Sequence, residues 1–163
     1  MTAEFSLSDL TLAGGLVGLC SLPAAPTDLA HIQRWRPDLV VSLTPRAEME
    51  ALGAGDFWAN LGAACIDWRS FPIADYGVPD AATAALWPGF AALALGLLAR
   101  GGRVLVHCRG GCGRSGMVVL RLMIEAGEDP AAALTRLRRA RPCAVETKAQ
   151  LVWAAQQDWA SGG

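Results

Sequence analysis

The sequence predicts an α/β fold, a sandwich in which helices flank a mainly parallel central sheet. Short apolar runs typical of buried strands alternate with segments that carry helix caps and helical spacing. One apolar run leads directly into a glycine-rich loop and a helix, which is typical of the carboxyl edge of an open α/β sheet. With 163 residues and 53% hydrophobic content, the chain is long enough for one domain with a buried core, and we expect residues 1–163 to form it.

Turn and capping residues place the elements of the first half of the chain. Thr27 is a suitable N-cap for a helix that Pro37 stops after about Arg36. Pro45 is suited to the start of a short helix. The expected elements are short strands within 5–23, a helix over 27–36, strands over 39–43 and 65–73, and helices over 46–52 and 57–63.

Residues 81–99 form an uncharged, Ala-rich stretch that reaches the length of a membrane span. Pro88 and Gly89 interrupt it, so we expect a buried helix, capped by Asp80 and kinked or broken at Pro88, and no membrane insertion. The remaining expected elements are a strand over 103–107 and helices over 115–126, 130–139 and about 146–159.

Charge and cysteine content narrow the function classes. A net charge of −1 with 18% charged residues leaves no polybasic character, so we expect no nucleic-acid partner. The five cysteines are odd in number and include no paired ligand cluster, which argues against a metal site. The first residues carry acidic rather than basic side chains, unlike a signal peptide, and we expect a reducing, cytoplasmic location.

The segment 107–116, with the sequence HCRGGCGRSG, carries the chemistry. Cys108 enters this loop after an apolar run, and Arg114 leaves it at the start of the next helix. Backbone N–H groups of a glycine-rich loop at a helix N-terminus can surround a tetrahedral oxyanion, and a guanidinium matches two phosphate oxygens. The same field stabilises a thiolate on Cys108. The pattern therefore predicts phosphoryl transfer to sulfur.

A purely structural interpretation of this segment explains less. Buried cysteines are common and usually inert, and glycine-rich turns end many strands. An arginine in the first turn of a helix, however, opposes the helix dipole unless an anion is bound there. Three glycines within four residues also make a poor core, so we favour the phosphate loop.

The chain resembles the cysteine-dependent dual-specificity protein phosphatases over about residues 39–159. Segment 107–116 matches their HC-x5-R-S/T motif. The Gly-Gly-x-Gly form of the loop at 110–113, the stretch PIADYGVPD at 72–80 and the tail AVETKAQ at 144–150 are most like the cyclin-dependent-kinase-inhibitor-associated phosphatase group. The resemblance implies a compact phosphotyrosine-phosphatase-like sandwich, no metal or other cofactor, and a two-step reaction through a phosphocysteine.

The resemblance assigns a role to each matching residue of the loop. It implies that Cys108 is the nucleophile, that Arg114 holds the phosphate, and that Ser115 helps the thiolate leave in the second step. It also implies that His107 orients the loop and favours the Cys108 thiolate. The residues between Cys108 and Arg114 would also bind the substrate phosphate: Arg109, Gly110, Gly111, Cys112 and Gly113.

The reaction also needs a carboxylic acid, which protonates the leaving oxygen and later deprotonates a water. Asp80 looks like a helix cap, and Asp67 lies within a predicted strand. Asp75 lies on a loop bounded by Gly and Pro and matches the acid position of the family. We expect Asp75 to be the acid; a turn aspartate bonded to its own backbone is the alternative.

Four residues stay open between a functional and a structural interpretation. Tyr76 forms one wall of the pocket or is a surface aromatic. Gln150 matches a position near which some relatives hold the attacking water, and is otherwise a solvent-facing helix residue. Cys65 and Cys112 are each candidates for a regulatory disulfide with Cys108, against ordinary packing.

The expected substrates are phosphorylated proteins. A chain this short lacks room for the insertions that deepen the pocket of large tyrosine-specific relatives. We therefore expect a shallower pocket that can admit phosphoserine and phosphothreonine as well as phosphotyrosine. Phosphoinositides are an alternative, because Arg109 adds positive charge to the loop. A rhodanese-like sulfurtransferase and a non-catalytic phosphoprotein-binding module are weaker alternatives. Acidic substrates could dock on a basic helix face, otherwise a solvated surface, that consists of Arg136, Arg138, Arg139 and Arg141.

Overall fold

The computed structural model describes residues 4–156. The elements in this range are, in chain order, β1 (Leu7–Leu12), β2 (Gly15–Cys20), α1 (Pro26–Trp35), β3 (Leu39–Ser42), α2 (Arg46–Ala51), α3 (Phe57–Ala63), β4 (Asp67–Ser70), α4 (Ala81–Ala84), α5 (Trp87–Ala99), β5 (Arg103–His107), α6 (Gly113–Glu125), α7 (Pro130–Ala140) and α8 (Lys148–Ala155). The strands form one sheet in the order β1-β2-β5-β3-β4. β1 and β2 are antiparallel, whereas β2–β5, β5–β3 and β3–β4 are parallel pairs. The predicted α/β fold with a mainly parallel sheet flanked by helices is therefore confirmed.

β5 occupies the centre of the sheet and is buried on both faces. Val104, Leu105 and Val106 are all fully buried. Because side chains alternate along a strand, Val104 and Val106 pack with residues of α5 to α8, and Leu105 packs with residues of α1 to α3 on the opposite face. Helices on both faces thus fix the carboxyl end of β5, where Cys108 begins the loop.

α6 begins inside the glycine-rich loop, at Gly113, two residues before its predicted start. Its first turn holds Arg114 and Ser115, and both are buried. A Cβ atom on Gly116 would lie 2.5 Å from the main-chain nitrogen of Val145. Glycine at this position therefore lets the connection between α7 and α8 lie against the loop; we call this connection, residues 141–147, the brace.

The start of α1 differs from the prediction. The helix begins at Pro26 rather than at Thr27, and its N-terminus is capped from within. The Asp28 side chain, in the first turn, reaches back and accepts the N–H groups of Ala24 and Ala25, which fixes the start of the helix at Pro26 rather than at Thr27.

β4 is shorter than the strand expected over residues 65–73. It comprises only Asp67–Ser70. Cys65 has φ +58°, which is incompatible with an extended strand. Pro72 has no N–H to donate to a sheet ladder, which favours an end to the strand before it. Residues 71–73 therefore already belong to the loop that carries Asp75.

The uncharged stretch 81–99 is two helices rather than one. α4 ends at Ala84, and Pro88 lies in the first turn of α5, where its missing N–H costs no helical hydrogen bond. Asp80 caps α4 as predicted, by accepting the Thr83 N–H. No helix within residues 4–156 is long and apolar enough to span a membrane.

The last helix starts later than predicted. Thr147 is its N-cap and accepts the N–H of Gln150, so α8 begins at Lys148 rather than at about Glu146. Trp159, its predicted end, lies outside the described residues.

Candidate active site

The carbonyl groups of residues 109–112 in the phosphate loop are bound by groups outside the loop. The Arg109 carbonyl accepts the Leu22 N–H at 2.9 Å, and the Cys112 carbonyl accepts the Val145 N–H at 3.1 Å. The guanidinium of Arg141 donates to the carbonyls of the two residues between them, Gly110 at 3.0 Å and Gly111 at 2.9 Å. In a trans peptide the N–H is antiparallel to the C=O. The N–H groups of residues 110–113 therefore point into the loop, as an oxyanion cradle requires.

Gly111 has a conformation and surroundings that only glycine tolerates. Its φ is +70°, in the left-handed region that side chains rarely adopt. A Cβ atom would also lie 2.5 Å from the carbonyl carbon of Cys20 and 2.6 Å from the Arg141 guanidinium. The loop can thus lie directly on the end of β2 and on the brace.

Arg114 is buried, and three groups hold its guanidinium. Glu48, on α2, accepts two hydrogen bonds from it, at 2.8 and 3.0 Å. The Ile73 carbonyl accepts a third at 2.9 Å, and Asp75 forms an ion pair with it at 3.2 Å. Burial lowers the pKa of Arg114, but the hydrogen bonds to Glu48 and the negative charges of Cys108, Glu48 and Asp75 together outweigh burial and raise the pKa. The Arg114 guanidinium is therefore charged, and its hydrogen bonds fix its orientation.

His107 is fully buried at the end of β5. Its Nε2 shares a hydrogen bond of 2.6 Å with the Ser42 hydroxyl, which also accepts the indole N–H of Trp68. Burial lowers the pKa of His107 to about 4; the Cys108 main chain opposes this shift, and the charge of Arg114 adds to it. The ring is therefore neutral at pH 7 and joins the end of β5 to β3.

Cys108 and Ser115 lie at the bottom of the loop. Both are buried. The Ser115 hydroxyl is one of the few buried polar atoms among the described residues without a hydrogen-bond partner. An unpaired buried hydroxyl is costly, and the first turn of α6 brings this one to the base of the loop, where the resemblance implies that it meets the Cys108 sulfur.

A second thiol and a guanidinium lie beneath the loop. Cys20, at the end of β2, pairs with His107 in the sheet. Burial raises the pKa of the Cys20 thiol, and so does the negative charge of Cys108, while Arg141 partly offsets both. Burial lowers the pKa of Arg141, against the attraction of the same two sulfurs. Cys20 is thus a neutral thiol, and Arg141 places positive charge near Cys108.

The loop after β4 brings Asp75 to the phosphate loop. Besides its ion pair with Arg114, the Asp75 carboxylate accepts the Tyr76 N–H at 3.0 Å, and its side chain is 41% exposed. Tyr76 is 63% exposed and has φ +58°. Asp75 therefore lies between the Arg114 guanidinium and solvent.

The two rival carboxylates lie elsewhere in the molecule. Asp67 is the first residue of β4 and is exposed. Asp80 is also exposed, and hydrogen bonds from Thr83 lower its pKa, which fits a helix cap. Asp75 is the carboxylate of the three that forms an ion pair with Arg114.

Gln150 is fully buried, so the solvent-facing interpretation is wrong. Its carbonyl oxygen accepts the N–H groups of Glu146 and Thr147. Its amide donates to the Gly77 carbonyl at 3.2 Å. Gln150 thus joins the brace and α8 to the loop that carries Asp75.

Neither of the two candidate cysteines is paired with Cys108 in this structure. Cys112 forms a disulfide with Cys143 of the brace, so it is not paired with Cys108. Cys65 is exposed and forms no disulfide. It lies at the turn between α3 and β4, with a left-handed backbone, φ +58°.

Most arginines of the expected basic docking face bind other groups within the molecule. Arg136 forms an ion pair with Glu128 at 2.9 Å. Arg138 donates to two carbonyls of the brace, and Arg141 is buried against the phosphate loop. Arg139 is the only one of the four that is exposed and makes none of these contacts, so the four do not form one docking surface.

Two residues of the site were not found from the sequence. Glu48 lies 66 positions before Arg114, and Arg141 lies 30 positions after Gly111. A signal for Glu48 was present, because it follows the carboxyl end of β3 as Cys108 follows β5. Arg141 carries no such signal, since it looks like one more residue of a basic helix.

No group of three His, Cys, Asp or Glu side chains in residues 4–156 is arranged to hold a metal ion.

Residues 17–154 match the model of a protein family, the Swiss Army Knife protein DSP-PTPase phosphatase domain (PTP-SAK). The chain belongs to this family. Membership makes it a cysteine-based phosphatase enzyme, and the PTP-SAK match spans the phosphate loop, the Asp75 loop and the brace. Among curated protein sequences, no match to this PTP-SAK chain is found.

Solved structures of other phosphatases share the fold of this PTP-SAK protein. Kinase associated phosphatase (KAP), with its catalytic-site cysteine substituted by serine, is 22% identical with a TM-score of 0.81, over 95% of this chain and 94% of that one. Tk-PTP in its active form is 28% identical with a TM-score of 0.69, over 90% and 92%. PTPMT1 in complex with PI(5)P is 22% identical with a TM-score of 0.68, over 85% and 86%.

Proposed function

We propose that this protein hydrolyses phosphomonoesters of proteins, on phosphotyrosine and also on phosphoserine and phosphothreonine, through a phosphocysteine on Cys108. The observation that carries the proposal is the orientation of the loop: its carbonyls are bound from outside, so its N–H groups converge above a buried cysteine. A phosphate bound there would have its phosphorus next to sulfur.

In the first step the Cys108 thiolate attacks phosphorus and the bond to the leaving oxygen breaks. The N–H groups of residues 110–113 and the fork of Arg114 hold the three other oxygens, where charge develops. Asp75, protonated, gives its proton to the leaving oxygen, so the product departs as a neutral alcohol or phenol. Arg114 is suited to this task because Glu48 already fixes its plane.

In the second step a water attacks the phosphocysteine and the sulfur leaves. The Asp75 carboxylate accepts a proton from that water, which restores the acid for the next turnover. The Ser115 hydroxyl, buried and without a partner, donates to the departing thiolate. His107 acts as a positioning residue, because its neutral ring ties the end of β5 to Ser42.

The subgroup and the substrate range are part of the proposal. The Gly-Gly-x-Gly loop and the Asp75 stretch support a member most like the cyclin-dependent-kinase-inhibitor-associated phosphatases. The exposure of Asp75 and Tyr76 supports an open cleft that admits short as well as long phosphorylated side chains. Gln150 contributes by holding the acid loop and Tyr76 by forming its rim.

Phosphoinositides are a second candidate substrate class. Arg109 is exposed beside the nucleophile, where it can meet a further phosphate of an inositol ring, and the similar structure of PTPMT1 holds PI(5)P. Family membership favours phosphatase chemistry over sulfur transfer, and the presence of Cys108, Arg114 and Asp75 together favours catalysis over binding alone.

The test is hydrolysis of an aryl phosphate, a phosphotyrosine peptide and a short-chain phosphoinositide in the presence of EDTA. We expect turnover of the aryl phosphate and the peptide without added metal. Cys108→Ser should remove all turnover but retain the fold by circular dichroism. Activity that survives this substitution, or that requires a metal, would contradict the mechanism; faster turnover of the lipid than of the peptide would replace the first substrate class by the second.

A further inference from the structure

The disulfide between Cys112 and Cys143 joins the phosphate loop to the brace. The two cysteines are 31 positions apart in sequence, and their Cα atoms lie 5.1 Å apart. Cys112 is the last loop residue before α6, and Cys143 lies in the middle of the brace. The bond is therefore a covalent link between the oxyanion cradle and the segment that orients it.

The brace supplies most of the noncovalent contacts that orient the loop carbonyls. Arg141 binds the carbonyls of Gly110 and Gly111, and the Val145 N–H binds that of Cys112. Cys143 lies between these two residues. Any movement of the brace relative to the loop would lengthen all three hydrogen bonds and let the peptide groups turn.

The disulfide is also accessible to reagents in solution. Cys143 is exposed and Cys112 is partly exposed, whereas Cys20 and Cys108 are buried. Exposed disulfides are the ones that exchange readily with thiols, and buried ones resist reduction. A dithiol can thus reach the Cys112–Cys143 bond without entering the active site.

We propose that Cys112 and Cys143 form a redox-sensitive site whose oxidation state sets the affinity of the phosphate loop for tetrahedral oxyanions. Reduction by a dithiol breaks the S–S bond, adds two electrons and two protons to give two thiols, and leaves the reductant as a disulfide. The oxidised form holds the brace against the loop and binds oxyanions more tightly. The effect on binding rests on the proposed function, whereas the link between the thiols and loop mobility does not.

The direction of the effect follows from the geometry of the cradle. An oxyanion binds most tightly to N–H groups that are already directed at it, because no free energy is spent on orienting them. Without the disulfide, the carbonyls are held outward by hydrogen bonds alone: three from the brace, one from the Leu22 N–H and one from the Gly116 N–H of α6. The reduced loop therefore samples orientations that do not bind.

The experiment uses the full chain with Cys108→Ser, so that oxidation of the nucleophile plays no part. Binding of tungstate, a tetrahedral oxyanion, is measured by calorimetry in air-oxidised and dithiothreitol-reduced protein, and the thiols are identified by alkylation and mass spectrometry. We expect dithiothreitol to free Cys112 and Cys143 and to raise the tungstate Kd about fivefold or more. The Cys108→Ser/Cys143→Ser double variant should have the reduced Kd with or without dithiothreitol.

Cys65→Ser in the same background is the matched control, because Cys65 is exposed but not bonded, and it should retain the full response. The rate of amide hydrogen exchange of residues 109–114 is measured in both redox forms without ligand and should rise on reduction. Equal exchange rates in the two forms, or alkylation of Cys143 in oxidised protein, would overturn the proposal. If no form binds tungstate, the proposed function fails and the exchange rates alone decide the redox site.

Discussion

Asp75 makes two contacts in the resting molecule, and its proposed chemistry requires it to give one of them up. Its carboxylate is paired with Arg114 and bonded to the Tyr76 N–H. In the proposed reaction, a phosphate bound in the loop takes over the Arg114 N–H group that faces Asp75 in the resting molecule. The Tyr76 N–H then keeps the carboxyl close to the leaving oxygen.

Replacement of Asp75 by Asn should slow poor leaving groups most. A phosphotyrosine peptide needs a proton on its leaving oxygen, whereas an activated aryl phosphate can release its phenol as an anion. We therefore expect Asp75→Asn to lower kcat/KM for the peptide by about a hundredfold or more and for the activated ester much less. Steady-state rates for both substrates across pH measure this. Asp67→Asn and Asp80→Asn are the controls, and a leaving-group-dependent loss in either of them, but not in Asp75→Asn, would contradict the assignment.

His107 makes the stability of the fold depend on pH. Its pKa in the folded protein is about 4, below the 6.5 of a free histidine, so the unfolded chain takes up a proton first as pH falls. The contribution of His107 to the free energy of unfolding is therefore complete above pH 6.5. As pH falls from 6.5 to 4 this contribution should be lost, by up to about 1.4 kcal/mol per pH unit. Urea titrations at several pH values measure this slope for the wild type and for His107→Asn. Identical slopes for both proteins would contradict a buried, neutral His107.

Among the elements, the brace is the one whose role could not be read from its own sequence. Segment 141–147 looks like the end of a basic helix followed by a turn, yet it holds the phosphate loop through Arg141, Cys143 and Val145. These contacts join residues about 30 positions apart, and no local spacing encodes them. The elements themselves were predictable, since strands β3 and β5 are short apolar runs and α7 has the Asp129 cap with Pro130 behind it.

Two glycines in helices should respond in opposite ways to replacement by alanine. In α6, a Cβ on Gly116 would lie 2.5 Å from the Val145 nitrogen and 2.9 Å from Ala144, so Gly116→Ala should push the brace away and destabilise the fold by about 1–3 kcal/mol. In α5, a Cβ on Gly96 meets nothing within 4 Å, so Gly96→Ala should stabilise by about 0.5–1 kcal/mol. Thermal unfolding compares the two variants. A stabilising Gly116→Ala would show that the brace does not press on α6.

At the scale of the whole molecule, the candidate site is formed by segments that follow the parallel strands of the sheet. Glu48 follows β3, Asp75 follows β4 and Cys108 follows β5, and the carboxyl ends of parallel neighbours meet at one edge of the sheet. The proposed nucleophile, phosphate-binding arginine and acid could be proposed from the sequence because they lie in short motifs. Glu48 could have been inferred from this topology, whereas Arg141 and the Cys112–Cys143 bond depend on how α7 packs on the sheet.

The measurement that tests the central claim most directly is detection of the phosphocysteine itself. Asp75→Asn protein should accumulate this intermediate, because an activated aryl phosphate can still react with Cys108 while the attack of water lacks its base. Acid quenching during turnover, followed by mass spectrometry of the peptide that spans the loop, should find one phosphoryl group on the Cys108 sulfur and none in Cys108→Ser. Product formation without phosphate on Cys108, or phosphate on another residue of the loop, would contradict the account.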